Sequence, residues 1–262
     1  MGFLAGKKAL VVGLASNRSI AWGVAQALHR EGAELALSYQ GEKLQGRVEK
    51  MGEELNAAVC LPMDVSDDAE IDAAMGQLGQ TWNDLDILVH SVGFAPREQL
   101  EGRYLDCVTR DGSRIAHDIS SYSFPALAKA AKPMMSAGAS LLTMSYLGAI
   151  RAIPNYNVMG PAKASLEANV RFMAADLGRD GIRVNGVSAG PLKTLASAGI
   201  SNFRYMLNYV AEGSALKRNA TVEDVANACA FMSSDLAAGI TGEILYVDCG
   251  FHIMGMAFPE QS

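Results

Sequence analysis

The stretch Ala9-Leu10-Val11-Val12-Gly13-Leu14-Ala15-Ser16-Asn17-Arg18-Ser19-Ile20-Ala21 decides the fold. Ala9 to Val12 are apolar without interruption. A strand with one wet face would alternate, so this run reads as a strand covered on both faces. Gly13 ends it, small and polar residues follow, and Ser19 stands at a helix N-cap position ahead of apolar residues at three- and four-residue spacing. A buried strand feeding a helix through a small-residue turn is the unit from which parallel sheets are wound.

The same alternation runs outward along the chain. Short apolar runs at 9–13, 34–39, 57–61, 87–92, 140–145, 183–187 and 244–247 predict strands. Helical periodicity occupies 20–31, 42–55, 67–82, about 113–135, 163–177 and 222–233. The expectation is an α/β protein: a Rossmann-like, doubly wound parallel sheet of about seven strands with helices on both faces. No linker, repeat or low-complexity tract divides it, so residues 1–262 are expected to form a single domain.

Composition narrows the function. With 22 Lys+Arg against 28 Asp+Glu the formal charge is −6, which gives nucleic acid no general attraction. Cys60, Cys107, Cys229 and Cys249 are widely spaced and the four histidines are scattered. That excludes a dense disulfide framework, leaves no visible metal ligand set, and fits a reducing compartment. Lys7-Lys8 and the apolar residues after them imitate a short export signal, but Gly13 and then Asn17-Arg18 break it. The uncharged stretch 133–150 carries Pro133, Gly138 and Gly148, the punctuation of a helix end, turn and strand, so it reads as core and not as a membrane insertion.

In such a sheet, ligands bind beyond the carboxyl ends of the strands. The 13–21 loop offers backbone N–H groups and a helix N-terminus to a phosphate, although the second and third glycines of a G-x-G-x-x-G fingerprint are missing. An ordinary turn capped by Ser19 explains it equally well. The second strand closes on Ser38-Tyr39-Gln40 with no Arg beside it for a 2′-phosphate, although Lys43 is near, which favours NAD over NADP. The third closes on Asp64-Val65, where a carboxylate suits an adenine amino group or, alternatively, caps the next helix.

The segment from Tyr146 to Ser165 follows a strand and enters a helix. Residues seven apart on a helix return within about 20° of one face, so Lys163 is expected to reach back toward Tyr156. An ammonium there would favour the phenolate and sharpen the phenol as a donor. A half-buried tyrosine and a solvated lysine are the alternative. Pro161 suits a first turn, which predicts a helix starting just before it.

With these residues in place, the sequence resembles the short-chain dehydrogenase/reductase superfamily, and within it the NADH-dependent bacterial enoyl-acyl-carrier-protein reductases of fatty acid synthesis. The resemblance covers almost the whole chain. It rests on Ser19-Ile20-Ala21, on the stretches from His90 to Pro96 and from His117 to Phe124, and on Tyr146, Tyr156 and Lys163. Arg183-Val184-Asn185, the stretch from Ala189 to Thr194, and Val247-Asp248 complete it. It implies that Gly13, Ser19 and Ile20 hold the pyrophosphate side of NADH, Gln40 the adenosine, Asp64 and Val65 the adenine, and Ser91 and Gly93 the middle of the cofactor. Lys163 would bind the nicotinamide ribose, and Leu192 and Thr194 the carboxamide and phosphate. Tyr146, Tyr156 and Lys163 would form the catalytic group. Phe94, Ala95, Tyr146, Tyr156, Ala196, Ile200, Phe203 and Met206 would line the acyl site, with a flap at about 194–210 whose alternative is a plain amphipathic core helix.

Carbonyl-reducing members carry Tyr-x-x-x-Lys. Here six residues separate Tyr156 from Lys163, which points to reduction of C=C instead of C=O. The resemblance further implies an enoyl group carried on acyl carrier protein, a homotetramer and a cytoplasmic location. Lys193, Arg204, Lys217 and Arg218 are candidates for a basic rim facing an acidic carrier. His90 and His117 read as hydrogen-bonded packing groups, and Cys249, where relatives often have glycine, as a buried small hydrophobe. A carbonyl-reducing dehydrogenase and a non-catalytic NAD-binding regulator are the competing readings; the first lacks its tyrosine-lysine spacing, and the second would be expected to have lost Tyr156 or Lys163.

Overall fold

The computed structural model describes residues 2–194 and 203–256. Seven strands, β1 Lys8–Val12, β2 Glu34–Tyr39, β3 Val59–Pro62, β4 Ile87–His90, β5 Ser140–Tyr146, β6 Arg183–Ala189 and β7 Ile244–Val247, pair in the order β3-β2-β1-β4-β5-β6-β7. Every pair is parallel. The helices are α1 Ile20–Arg30, α2 Glu42–Glu54, α3 Asp68–Thr81, the short α4 Tyr104–Cys107, α5 Arg110–His117, α6 Ser123–Ala131, α7 Met159–Leu177, α8 Phe203–Gly213 and α9 Val222–Ser233.

Both sheet faces are covered, as the unbroken apolar runs require. Along β1, Ala9 and Val11 pack into a layer with α1, α2 and α9, whereas Leu10 and Val12 pack into the opposite layer with α3, α6 and α7. The start of β6 is fixed by polar side chains: the buried Arg183 guanidinium donates to Met232 O at 2.8 Å and Ser234 O at 3.0 Å, and Asn185 Nδ2 donates to Ile240 O at 2.9 Å.

One expected element differs. The helix read as continuous over about 113–135 is α5, a π-turn at Asp118–Tyr122, α6 and a 3-10 turn at Lys132–Met134. Ser123 Oγ donates back to Ile119 O at 2.7 Å beside the widened turn, and Pro133 has no N–H with which to extend α6.

The chain winds outward through β2 and β3, then returns to place β4 on the other side of β1. Connections leave β1 and β4 in opposite directions, and a crevice opens beyond their carboxyl ends. The two loops touch there: Ser91 N donates to Val12 O at 3.0 Å, and a Cβ on Gly13, whose φ is +100°, would stand 2.4 Å from Ser91 O. Only glycine satisfies both the left-handed backbone and the contact. Gly13→Ala is therefore expected to cost about 2–3 kcal/mol. Calorimetry should show a Tm lowered by about 5–10 °C; an unchanged Tm would contradict the close approach.

Candidate active site

Helix α7 starts at Met159, so Pro161 lies in its first turn, where a missing N–H leaves no bond unmade. Tyr156 is not on this helix. It lies in the preceding turn between Asn155 and Asn157, with φ of +60° and +37°, and two left-handed residues interrupt helical geometry on either side of it. The expectation of two side chains on one helix face is corrected accordingly. Asn157 Nδ2 anchors this turn to Cys107 Sγ at 3.2 Å and Gly102 O at 3.4 Å. Gly148 lets the Tyr156 ring approach, since a Cβ there would stand 2.4 Å from it. The ring meets Tyr146, at the end of β5, edge to face with centroids 4.9 Å apart.

Lys163 is 6% exposed, and its Nζ donates to Met144 O in β5 at 2.8 Å and to Val92 O, just past β4, at 3.3 Å. Burial lowers its pKa to about 8, against the opposing pull of Glu167. Tyr156 is also shifted by burial, upward, and then further by Tyr146 and Glu167; the ammonium is aimed at carbonyls and not at the phenol. The expected drop toward phenolate is thus reversed, and Tyr156 is held as a neutral O–H. Its hydroxyl has no hydrogen-bond partner among the described residues. Burial pushes Tyr146 up to about 12, and its hydroxyl meets Met206 Sδ on α8 at 3.4 Å.

Around this centre the predicted residues fall on the crevice loops. Gly93 follows β4 and faces the lysine; a Cβ on it would be 3.6 Å from Nζ. Ser120 Oγ accepts from Phe94 N and donates to Phe94 O, both at 2.9 Å, leaving the Phe94 ring half exposed. Ala95 and Tyr156 pack on the cluster of Ala116, Val158, Met159 and Ala162. Leu192 is buried, and Thr194 N donates to Leu192 O at 3.0 Å. Phe203 and Met206 lie on α8. Ala196 and Ile200, with most of the first half of the 194–210 flap, lie outside the described residues.

At the other end of the crevice, Ser19 does cap α1: its Oγ accepts from Trp22 N at 3.2 Å and donates to Ser16 O at 2.7 Å. This leaves Ile20 as the first residue of α1. Asp64 is not a helix cap, because Asp67 caps α3. Asp64 instead accepts from Gln40 Nε2 at 2.7 Å and from Ser66 N and Oγ at 2.9 and 2.7 Å. Burial pushes this carboxyl upward, but those three donors together hold it below its ordinary value. Val65 is buried beside it.

His90 is fully buried between Thr143 Oγ1 at 2.7 Å and Ser123 Oγ at 2.9 Å, and burial followed by Lys163 lowers its pKa to about 3. His117 Nδ1 contacts Ser113 O at 3.0 Å. Both are the packing groups expected. Cys249 is not: it is half-buried with φ of +58°, a left-handed conformation that glycine occupies without a Cβ penalty. Arg218 also leaves the proposed basic rim, since it holds Asp224 at 2.6 Å. Ser145, Glu167 and Ser120 had no role in the sequence reading. Glu167 was findable, as the acidic residue one helical turn after Lys163.

The family model described as enoyl-(acyl carrier protein) reductase matches residues 13–252. The chain belongs to that family. It is 58% identical over 256 residues to the enoyl-acyl-carrier-protein reductase (NADH) of Salmonella typhimurium, covering 98% of each chain. The solved enoyl-acyl-carrier-protein reductase (NADH) of Aquifex aeolicus superposes with a TM-score of 0.95 at 42% identity, covering 97% of this chain and all of that one. The Anaplasma phagocytophilum reductase, solved in complex with NAD, gives 0.94 at 42% identity, covering 100% of this chain and 98% of that one.

The lysine's burial has a pH signature. Its folded pKa of about 8 lies below the ordinary 10.5, so between these values the unfolded chain binds more protons and stability rises with pH. Urea unfolding from pH 7.5 to 9.5 should show wild type gaining stability relative to Lys163→Met, and parallel curves would contradict the buried ammonium.

Proposed function

We infer that the chain reduces the trans-2 C=C bond of enoyl-acyl-carrier-protein thioesters with NADH, a step of fatty acid elongation. The observation that carries this is the Tyr156 hydroxyl, neutral, without a hydrogen-bond partner among the described residues, and set beside the crevice that Lys163 organises.

The donor set fits the dinucleotide. Lys163 spends two of its three N–H bonds on carbonyls among the described residues, leaving one for a ribose hydroxyl, and Gly93 presents no side chain in front of it. Gly13, Ser19 and Ile20 would take the pyrophosphate at the α1 N-terminus, Ser91 with Gly93 the cofactor's middle, and Leu192 with Thr194 the nicotinamide carboxamide and phosphate. Gln40 and Asp64, tied to each other, would take the adenosine, with Val65 against the ring. With no arginine beside the end of β2, Arg47 on α2 being held by the Ala15 carbonyl at 3.0 Å, and Gln40 occupied by Asp64, the site favours NADH over NADPH.

Bound NADH supplies a hydride to C3 of the enoyl group. As charge moves onto the thioester oxygen, Tyr156 would donate its O–H to that oxygen and, because the phenol resists ionisation, stabilise the enolate as a hydrogen-bond donor; a proton taken up at C2 then completes the saturated thioester and leaves the cofactor oxidised. Tyr146 packs against the Tyr156 ring and fixes its plane. Lys163 holds the ribose side in register, and Phe94, Ala95, Phe203 and Met206 border the acyl chain. A carbonyl reductase would need the tyrosine one turn before the lysine on the same helix, whereas Tyr156 precedes α7 altogether.

Exposed Lys193, Arg204 and Lys217 would meet an acidic carrier, and the family resemblance implies assembly with further copies of the chain as a homotetramer. A cytoplasmic location goes with this reading and suits the four free cysteines.

Mixed with NADH and a crotonyl thioester, the protein should oxidise NADH, faster than NADPH, and leave a β-ketoacyl thioester unreduced. Tyr156→Phe should lower kcat by about 100-fold, the scale for one oxyanion donor, with a smaller change in KM. Undiminished kcat in that variant would overturn the assignment of Tyr156.

A further inference from the structure

We propose that Glu167 is a positioning residue for the two reactive tyrosines, acting through Ser145; the proposal rests on the reductase reading above. Helix α7 presents two polar side chains, one turn apart, to consecutive residues of β5. Lys163 Nζ donates to the Met144 carbonyl at 2.8 Å, and Glu167 Oε1 accepts from the Ser145 hydroxyl at 2.6 Å. The next residue is Tyr146, whose ring packs edge to face on Tyr156.

All three polar groups are buried: Ser145 is 5% exposed, Glu167 5% and Lys163 6%. A carboxyl in such a place is costly unless it is hydrogen-bonded, and an apolar side chain would fill the volume without that cost. The Ser145 hydroxyl is the single hydrogen-bond donor to the Glu167 carboxyl among the described residues, because Arg171 reaches the Glu167 backbone carbonyl instead, at 3.0 Å. No ion pair with Lys163 forms within 4.0 Å among those residues. The buried carboxyl therefore serves one directional bond, and that bond fixes the residue before Tyr146.

Tyr146 needs such a support. The polar contact of its hydroxyl is with a thioether sulfur, a weak acceptor, at 3.4 Å. Its ring plane, and through it the aim of the Tyr156 hydroxyl, is set from below by the end of β5. Lys163 and Glu167 together hold that end on α7, so one helix places both the amine and the phenols of the site. Small displacements of such groups are enough to cost rate without costing affinity.

The test is a double-mutant cycle on the full-length enzyme with NADH and a crotonyl thioester, with folding checked by circular dichroism and wild type assayed alongside. Ser145→Ala and Glu167→Ala should each lower kcat by about 10-fold while the KM for NADH stays within about twofold. The double variant should be no slower than the slower single, because both remove the same bond. Glu167→Gln, whose amide oxygen can accept from Ser145, should restore most of kcat. Full kcat in folded Ser145→Ala, additive losses, or a Glu167→Gln as slow as Glu167→Ala would overturn the proposal. Should Glu167→Ala fail to fold, the Ser145→Ala and Glu167→Gln results still decide it. Wild type that leaves NADH unoxidised would instead overturn the reductase reading beneath it.

Discussion

An ammonium group removed from water organises this molecule's centre. Lys163 can stay buried only if its N–H bonds find acceptors, and it finds them in two backbone carbonyls, that of Val92 in the loop past β4 and that of Met144 in β5. The desolvation cost thereby fixes a location: α7, the end of β5 and the loop after β4 meet at one nitrogen. The same loop after β4 presses on Gly13 after β1, so the crevice between the two halves of the sheet is closed on one side by the lysine and on the other by a glycine without room for a side chain.

The Tyr156 phenol stands apart from that lysine bond, and this separation has chemical consequences. A phenol hydrogen-bonded to an ammonium would be drawn toward ionisation, whereas Tyr156, desolvated and near Tyr146 and Glu167, keeps its proton. A neutral donor suits an oxygen that gains charge during the reaction better than a phenolate would, since two anions would repel each other. The neutral, fully buried His90, held by Thr143 and Ser123, adds no competing charge beside the lysine.

Much of this was legible in the sequence, for physical reasons that differ by element. Short apolar stretches, Leu35-Ala36-Leu37 in β2 and Ile244 to Val247 in β7, placed these strands to the residue, and Ser19 before Ile20 announced the start of α1. Pro161 announced the start of α7. The π-turn at Asp118–Tyr122 was hidden, because its cause lies in serine side chains that bond backbone locally and across to Phe94, and apolar periodicity is blind to such bonds. The place of Tyr156 was hidden too: the left-handed backbone at Asn155 and Asn157 broke the helix that spacing alone assumed. Asp64 could be read as a cap or a ligand group until Asp67 was seen to cap α3. Glu167 resembled any helix glutamate, and its partner Ser145 any strand serine, until packing brought them together.

The most direct measurement is the titration of Lys163 itself. In nucleotide-free protein carrying 13C at lysine Cε, the resonance that vanishes in Lys163→Met should titrate near pH 8, as burial against two carbonyls requires. A Lys163 resonance titrating at the ordinary lysine value of about 10.5 would mean a solvated ammonium, and the convergence of α7, β5 and the loop after β4 on it would have to be abandoned.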